Sequence, residues 1–338
     1  LWGNSNWNYA QASMGYVSES DFRWGYYGSR GWDEANLVTY MESHDEERLM
    51  YKNLQWGNHS GDYDIRNLAI ALNRIKLAAG FFFTLPGPKM IWQFEELGYD
   101  VSIDDPCRIC EKPIRWNYFE DWRRKSVYKT FQALIKLRKE NDVFKSPETI
   151  VDLSVSREWK RIRLSHPSMK VVIIGNFNVM NRSINPIFYN TGKWYEYFTG
   201  DSIEVTNVND QFVLKPGELR IYTTSKLETP EQGILSDIEP YFENIPERFY
   251  LSNNYPNPFN SFTTFEYELD FTSNVEIKIF DLLGREIFIT NQGYQNSGLY
   301  RFSWDGKDSN GLDVNSGIYF AVLKKNGDIK IKKMTLLK

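Results

Sequence analysis

The sequence predicts a multi-domain fold, α/β at its start and all-β thereafter, on three observations. A β-branched and aromatic run at residues 37–41 breaks off into Glu42, Ser43, His44 and Asp45. Ionisable residues at the carboxyl end of a buried strand mark the active-site face of a parallel α/β barrel. Two long helical patterns lie at residues 66–82 and 124–139. From Thr149 onward the pattern turns to short alternating runs split by Gly, Asn and Pro, which is that of antiparallel sandwiches.

In chain order, residues 1–35 are rich in Gly, Asn and aromatics and show no sustained period, so they predict a loop-like lead into the strand at 37–41. Leu68, Leu72, Ile75 and Ala79 recur at three- to four-residue steps and predict an amphipathic helix. Pro86 and Pro88 end it, and a second strand is expected over 89–93, stopping at Glu95 and Glu96. In the next helix Val127, Phe131, Leu134 and Leu137 face inward, with basic residues at the C-terminal end where the helix dipole favours them. The runs IVDLSV, KRIRLS, KVVIIGNFN and FVLKPGELRIYTT follow as strands. A polar, acidic, Pro-containing stretch at 227–248 reads as a linker. Beyond it, short strands with Asp305-Gly306 and Asn310-Gly311 turns predict a second small sandwich.

Composition narrows the function. Hydrophobic residues at 41% and charged residues at 25% describe a globular chain. The net charge of −4 gives no electrostatic footprint for nucleic acid. The basic stretch 324–338 alternates Lys with Ile and reads as the wet face of a strand. No apolar run is long enough for a transmembrane segment. Eleven Trp and 21 Tyr suit a carbohydrate-binding protein, and suit sandwich cores equally. Cys107 and Cys110 form a C-x-x-C pair in a loop without a second pair, which predicts a local disulfide or two inert thiols and no metal site. The turn 305–313 departs from a calcium loop, with Asn310 where Gly belongs and Ser316 where Glu belongs, so it reads as turn chemistry.

The segments VTYMESHDEER and GFFFTLPGPKMIWQFEE resemble the seventh and eighth barrel strands of the α-amylase family of glycoside hydrolases. The order LIKLRKEN, VVIIGNFN, WYEYFTGD and LKPGELRIY resembles the β-sandwich domain that follows that barrel. The resemblance implies the C-terminal portion of a (β/α)8 TIM barrel over 1–145 and an all-β domain over 146–226. It implies action on α-glucosidic bonds of α-glucan polysaccharides or oligosaccharides by a retaining mechanism. Asp45 matches the carboxylate that stabilises the transition state and His44 the imidazole that contacts sugar hydroxyls. Glu42, Arg48 and Trp92 are carried over as substrate contacts, with pairing to a nearby acid as the alternative for Arg48, and Trp92 and Trp116 either stack on sugar or pack into the interior, with packing favoured. Phe94 stands where the family has a small residue, which leaves the rim beside it open to question.

A retaining pair of carboxyl groups sits about 5–5.5 Å apart, and in this family on the fourth and fifth strands. A barrel of this kind needs about 250 residues. The chain therefore reads as a fragment, inactive alone, with no cofactor of its own and any calcium site in the missing part. Branching or transferring activity and a non-catalytic glucan-binding surface protein are the alternatives.

Residues 249–338 resemble the C-terminal sorting domain of the type IX secretion system, an Ig-like sandwich. The resemblance rests on NYPNPFN, FDLLGRE, the WDGKDSNG hairpin and SGIYF in order, with Ser261 where Pro is frequent. It implies the type IX secretion machinery as partner and a secreted protein, at the cell surface or extracellular via the periplasm.

Overall fold

The computed structural model describes residues 1–235, 249–269, 273–295, 298–325 and 328–338. The chain divides into two units, 1–237 and 238–338.

In the first unit, β1 (Trp2–Asn4), β2 (Val38–Tyr40) and β5 (Lys89–Met90) form a parallel sheet in the order β1-β2-β5. Helix α1 (Asn6–Ser13) follows β1, and α2 (Leu49–Trp56) follows β2. A small hairpin of β3 (His59–Ser60) and β4 (Tyr63–Asp64) leads into α3 (Leu68–Thr84). Asn67 caps α3, its Oδ1 accepting from the Ala69 N–H at 2.9 Å. Helix α4 (Trp122–Glu140) starts at Asp121, which accepts from Arg123 N–H at 2.9 Å. Arg138 donates to the carbonyls of Phe83 and Leu85, at 3.0 and 2.8 Å, placing a cation at the C-terminal end of α3.

Two features of the parallel sheet depart from the sequence expectation. Residues 1–35 contain a strand, β1, in parallel register with β2, so this chain contributes three parallel strands instead of two. The strand expected over 89–93 ends at Met90, because the Trp92 N–H is taken by the Glu95 carboxylate at 2.9 Å and leaves the ladder.

A six-stranded antiparallel sheet follows in the order β11-β10-β13-β8-β7-β6, built from β6 (Ile150–Ser154), β7 (Trp159–His166), β8 (Met169–Asn176), β10 (Gly192–Glu196), β11 (Ser202–Val205) and β13 (Leu219–Thr223). Strands β9 (Arg182–Ile184) and β12 (Phe212–Leu214) pair separately and cover its other face over Trp194, Phe188 and Tyr222. Helix α3 lies against β8 at close range: a Cβ at Gly175 would meet the Phe81 ring at 2.6 Å and Leu77 at 2.7 Å. Helices and sheet thus share one core, in which Phe22 stacks on Tyr9 at 4.0 Å and meets Phe177 edge-on at 5.4 Å.

Two buried cations fasten this core. Arg74 donates to the carbonyls of Ala12, Ser13, Asn176, Phe177 and Asn178 at 2.5–3.4 Å. The Lys160 ammonium reaches the carbonyls of Ser20, Val155 and Arg157 at 2.6–3.0 Å. Each satisfies backbone acceptors that a loop buried against the sheet would otherwise strand.

The linker expected over 227–248 is packed in its first part. Glu228 and Glu231 pair with Lys136 and Lys129 of α4, and Ile234 is buried. Residues 236–248 lie outside the described residues.

The second unit is a sandwich of two antiparallel sheets. One holds β14 (Tyr250–Leu251), β15 (Thr263–Leu269) and β18 (Gly298–Trp304); the other holds β16 (Ser273–Asp281), β17 (Glu286–Gln295), β19 (Gly317–Lys325) and β20 (Asp328–Leu336) in the order β17-β16-β19-β20. The acidic turn is held by Asp308, whose carboxylate accepts from the N–H groups of Asn310 and Leu312 at 2.9 Å. In β20 the basic stretch is wet as expected, with Lys330 and Lys333 exposed and Lys332 half-exposed. Lys330 and Lys332 share the side of Met334 and Leu336, and their ammonium groups lie over the rings of Phe249 and Tyr250. Ile329 and Ile331 face outward, 53% and 58% exposed.

Candidate active site

The loop 42–48 leaves the carboxyl end of β2, the central strand of the parallel sheet. Met41, Glu42 and Ser43 are buried, and then the chain turns outward. His44 and Asp45 project into solvent with side chains 72% and 69% exposed, and His44 Nε2 lies 3.2 Å from Asp45 Oδ2. Ser43 Oγ accepts from the Asp45 N–H at 3.2 Å and also donates to the Glu46 carboxylate. Neither Ser43 nor Asp45 caps a helix over 46–48, since α2 begins only at Leu49.

Three neighbours hold this loop. From β1 and the start of α1, Asn4 donates to Glu46 at 2.5 Å, and Asn6 donates to the carbonyls of Met41 and Glu47 at 2.7 and 3.0 Å. From the segment after β5, Ser102 Oγ and the Ile103 N–H both donate to the Glu47 carboxylate, at 2.7 and 2.9 Å. Arg108, inside a loop closed by the Cys107–Cys110 disulfide, donates to the Asp45 carbonyl at 2.6 Å. Sequence reading missed Asn4, Asn6, Ser102 and Arg108. The polar run Asn4-Ser5-Asn6 after Trp2-Gly3 was the available signal, repeating the strand-then-polar plan of residues 37–45.

Of the five residues expected at the site, the structure brings His44, Asp45 and Trp92 together at the surface. Trp92 is half-buried, its ring centroid 5.8 Å from that of His44. Glu42 and Arg48, expected as substrate contacts, are each 1% exposed and are corrected to supports beneath the loop. Glu42 Oε1 accepts from the Leu49 N–H at 2.8 Å at the start of α2, where the helix dipole favours an anion. Arg48 donates to the Ser43 carbonyl at 2.5 Å. The β2 pattern announces ionisable residues at the strand end but not which of them lie under the turn.

The eighth-strand match also resolves in detail. Phe94 adopts φ 58°, a left-handed conformation that costs an L-residue about 1–2 kcal/mol and favours a small residue. Its ring, 5% exposed, stacks on Tyr99 at 5.7 Å and meets Trp116 edge-on at 4.9 Å, which offsets that cost. Trp116, expected to be packed inside, is 71% exposed. An open groove of about 610 Å³ beside β5 is lined by Trp92, Phe94, Glu96, Trp116 and Tyr128. Trp92 is shared by this groove and the rim, while His44 and Asp45 stand outside the groove's lining: the groove offers aromatic faces and the rim an imidazole and an exposed carboxylate. Such groups can stack on a sugar ring, bond its hydroxyls and stabilise positive charge on it.

Comparison with known proteins finds similarities in both units of the chain. Residues 253–336 match the family described as "Secretion system C-terminal sorting domain", and the second unit is a type IX sorting domain, which marks an exported protein. The cyclomaltodextrinase of Thermoanaerobacter pseudethanolicus is 27% identical over 149 residues, 44% of this chain. The match spans 22% of that relative's length. Among solved structures, the α-amylase of Geobacillus thermoleovorans in complex with acarbose is similar at TM-score 0.45 and 16% identity, over 64% of this chain and 45% of that one. The gamma-CGTase of the alkalophilic Bacillus clarkii is similar at TM-score 0.48 and 13% identity, over 98% and 44%. These relatives are α-amylase family enzymes. Among the described residues no helix is long and apolar enough to cross a membrane.

Proposed function

We propose that residues 1–226 are the closing part of an α-glucan-cleaving enzyme, a partial barrel over 1–145 followed by its all-β domain over 146–226. Asp45 stabilises the oxocarbenium-like transition state, His44 donates to sugar hydroxyls and Trp92 stacks on a ring. The reaction is retaining, with the nucleophile and the acid/base supplied by barrel strands outside this chain. The observation that carries the reading is the outward projection of His44 and Asp45 together from the end of β2, beside Trp92. Asp45 is a lone exposed carboxylate at this loop and does not make a double-displacement pair, so the chain alone binds without cleaving.

Calorimetry with a linear malto-oligosaccharide tests this, together with release of reducing sugar from soluble starch. Weak binding that Trp92→Ala abolishes is expected, with no sugar released. Sugar release that disappears in Asp45→Ala would overturn the incomplete-site reading. The lone carboxylate also favours a second reading, a non-catalytic glucan-binding surface protein. Carboxylates at the ends of the fourth and fifth strands, read from the gene upstream, exclude it.

Residues 249–338 direct the protein through the periplasm to the cell surface or the medium, as the match over 253–336 supports. Deleting 249–338 is expected to leave the protein in the periplasm by cell fractionation; unchanged surface display would reject this.

A further inference from the structure

Beneath His44 and Asp45 lies a cluster of charge that the sugar reading does not use. Glu42, at the end of β2, and Glu95, in the turn after β5, are 1% and 2% exposed. Each spends one carboxylate oxygen on a backbone N–H: Glu42 Oε1 on Leu49 at 2.8 Å, and Glu95 Oε2 on Trp92 at 2.9 Å. Each keeps its other oxygen, Glu42 Oε2 and Glu95 Oε1, buried without a hydrogen-bond partner. Arg48, 1% exposed, sits close enough to act electrostatically on both.

Charge counting shows what is missing. Four carboxylates act on one another or on the shared cations here, Glu42, Glu46, Glu47 and Glu95, against two cations, Arg48 and Lys52. Glu96, half-buried, adds only to the negative side. A buried ionised group without compensation costs several kcal/mol, and the usual remedy is to take up a proton. Glu42 and Glu95 keep one unpartnered oxygen each, Arg48 Nε is unpartnered beside them, and the register of β2 with β5, Tyr40 opposite Met90, sets Glu42 beside Trp92, whose N–H Glu95 holds.

We propose that Glu42 and Glu95 carry a single proton between them, Glu95 as the acid and Glu42 as the carboxylate facing Arg48, and that this proton ties the ends of β2 and β5 together beneath the His44–Asp45 rim. Both groups are then positioning residues: Glu42 sets the start of α2, Glu95 sets the Trp92 turn, and the proton couples the two. The pair supports the rim whatever ligand the rim takes.

Electrostatics points the same way. Burial pushes the Glu42 carboxyl up to about 7, while Arg48 pulls it back. Burial, and then the charge of Glu42, push Glu95 well above the ordinary carboxylate range. For an acid whose value rises on folding, the folded state holds a proton that the unfolded chain has released. Stability from this source is therefore present at low pH and is lost as pH climbs from about 4.5 through the raised values.

The test is infrared spectroscopy of the full chain together with thermal unfolding across pH. A protonated-carboxyl C=O band is expected at neutral pH, absent in Glu95→Gln and retained in Glu42→Gln. Glu95→Gln, a neutral isostere of the acid, is expected to match the wild-type melting temperature near pH 4.5 and to exceed it increasingly as pH rises. Glu42→Gln, which leaves Arg48 without its counter-charge, is expected to melt lower throughout. Absence of a protonated-carboxyl band at pH 7 overturns the proposal, and so does a Glu95→Gln variant that falls with pH in parallel with the wild type. If neither variant folds, Glu196→Gln, which removes the other buried glutamate raised by burial, decides: the band is expected to persist in it, and its loss there overturns the proposal.

Discussion

Replacing Arg74 with Ala is expected to cost the first unit about 4 kcal/mol or more, read as a shift of its urea midpoint. The guanidinium is fully buried and donates to five backbone carbonyls, two at the C-terminal end of α1 and three at the end of β8 and the turn beyond it. A buried acceptor stranded without a donor costs about 1–3 kcal/mol, and water entering the vacated space recovers part of the total. Arg74→Lys keeps the charge but lacks the planar fork, so it should fall between Ala and the wild type. A loss below about 1 kcal/mol in Arg74→Ala would mean that water serves those carbonyls as well as the guanidinium does. The effect follows from position: one side chain of α3 closes loose ends of both the parallel sheet's first helix and the antiparallel sheet.

The second large effect concerns chemistry. In the complete enzyme proposed above, Asp45→Asn is expected to lower kcat by about 10²–10³, in line with removal of one preorganised electrostatic group from a transition state. KM should move little, because charge stabilisation of this kind acts where positive charge develops on the sugar and not on the resting substrate. His44→Ala should instead raise KM, since a hydroxyl contact is made in both states. A parallel loss of kcat and binding in Asp45→Asn would assign the residue to substrate attachment. Steady-state kinetics on a soluble malto-oligosaccharide separates the outcomes. The geometry supports the division: Asp45 is open to solvent at the rim, and its backbone is held by Ser43 and Arg108, so the substitution leaves the loop's supports in place.

Much of this was legible in the residues. The helix patterns survive as α3 and α4 because Asn67 and Asp121 cap them and because their apolar spacing faces one core. The sharp end of the strand before Glu42 identified the rim that His44 and Asp45 occupy. Other elements were hidden for physical reasons. Strand β1 is three residues long, and its first side chain, Trp2, is 67% exposed, so no alternation announces it. It exists through register with Val38–Tyr40, a pairing distant in sequence. Glu42 and Arg48 look like site residues by neighbourhood in the chain, yet the turn at Ser43 sends them down while His44 and Asp45 go up. In β20, Lys and Ile alternate with period two, and the start of the strand is open on both sides, so Ile329 and Ile331 are exposed along with Lys330.

By itself the sequence determined local properties: where helices begin, where an apolar strand stops at ionisable residues, where turn chemistry recurs, and which motifs mark an exported chain. These depend on neighbours within a few positions, and the covalent chain fixes those. The tertiary structure alone decided that three parallel strands meet, that Arg74 joins carbonyls at the end of α1 to those at the end of β8 and just beyond it, and that Glu42 and Glu95 are both buried within the influence of Arg48. Contacts of that kind join residues tens of positions apart, and packing selects them from many pairings that the same local pattern permits.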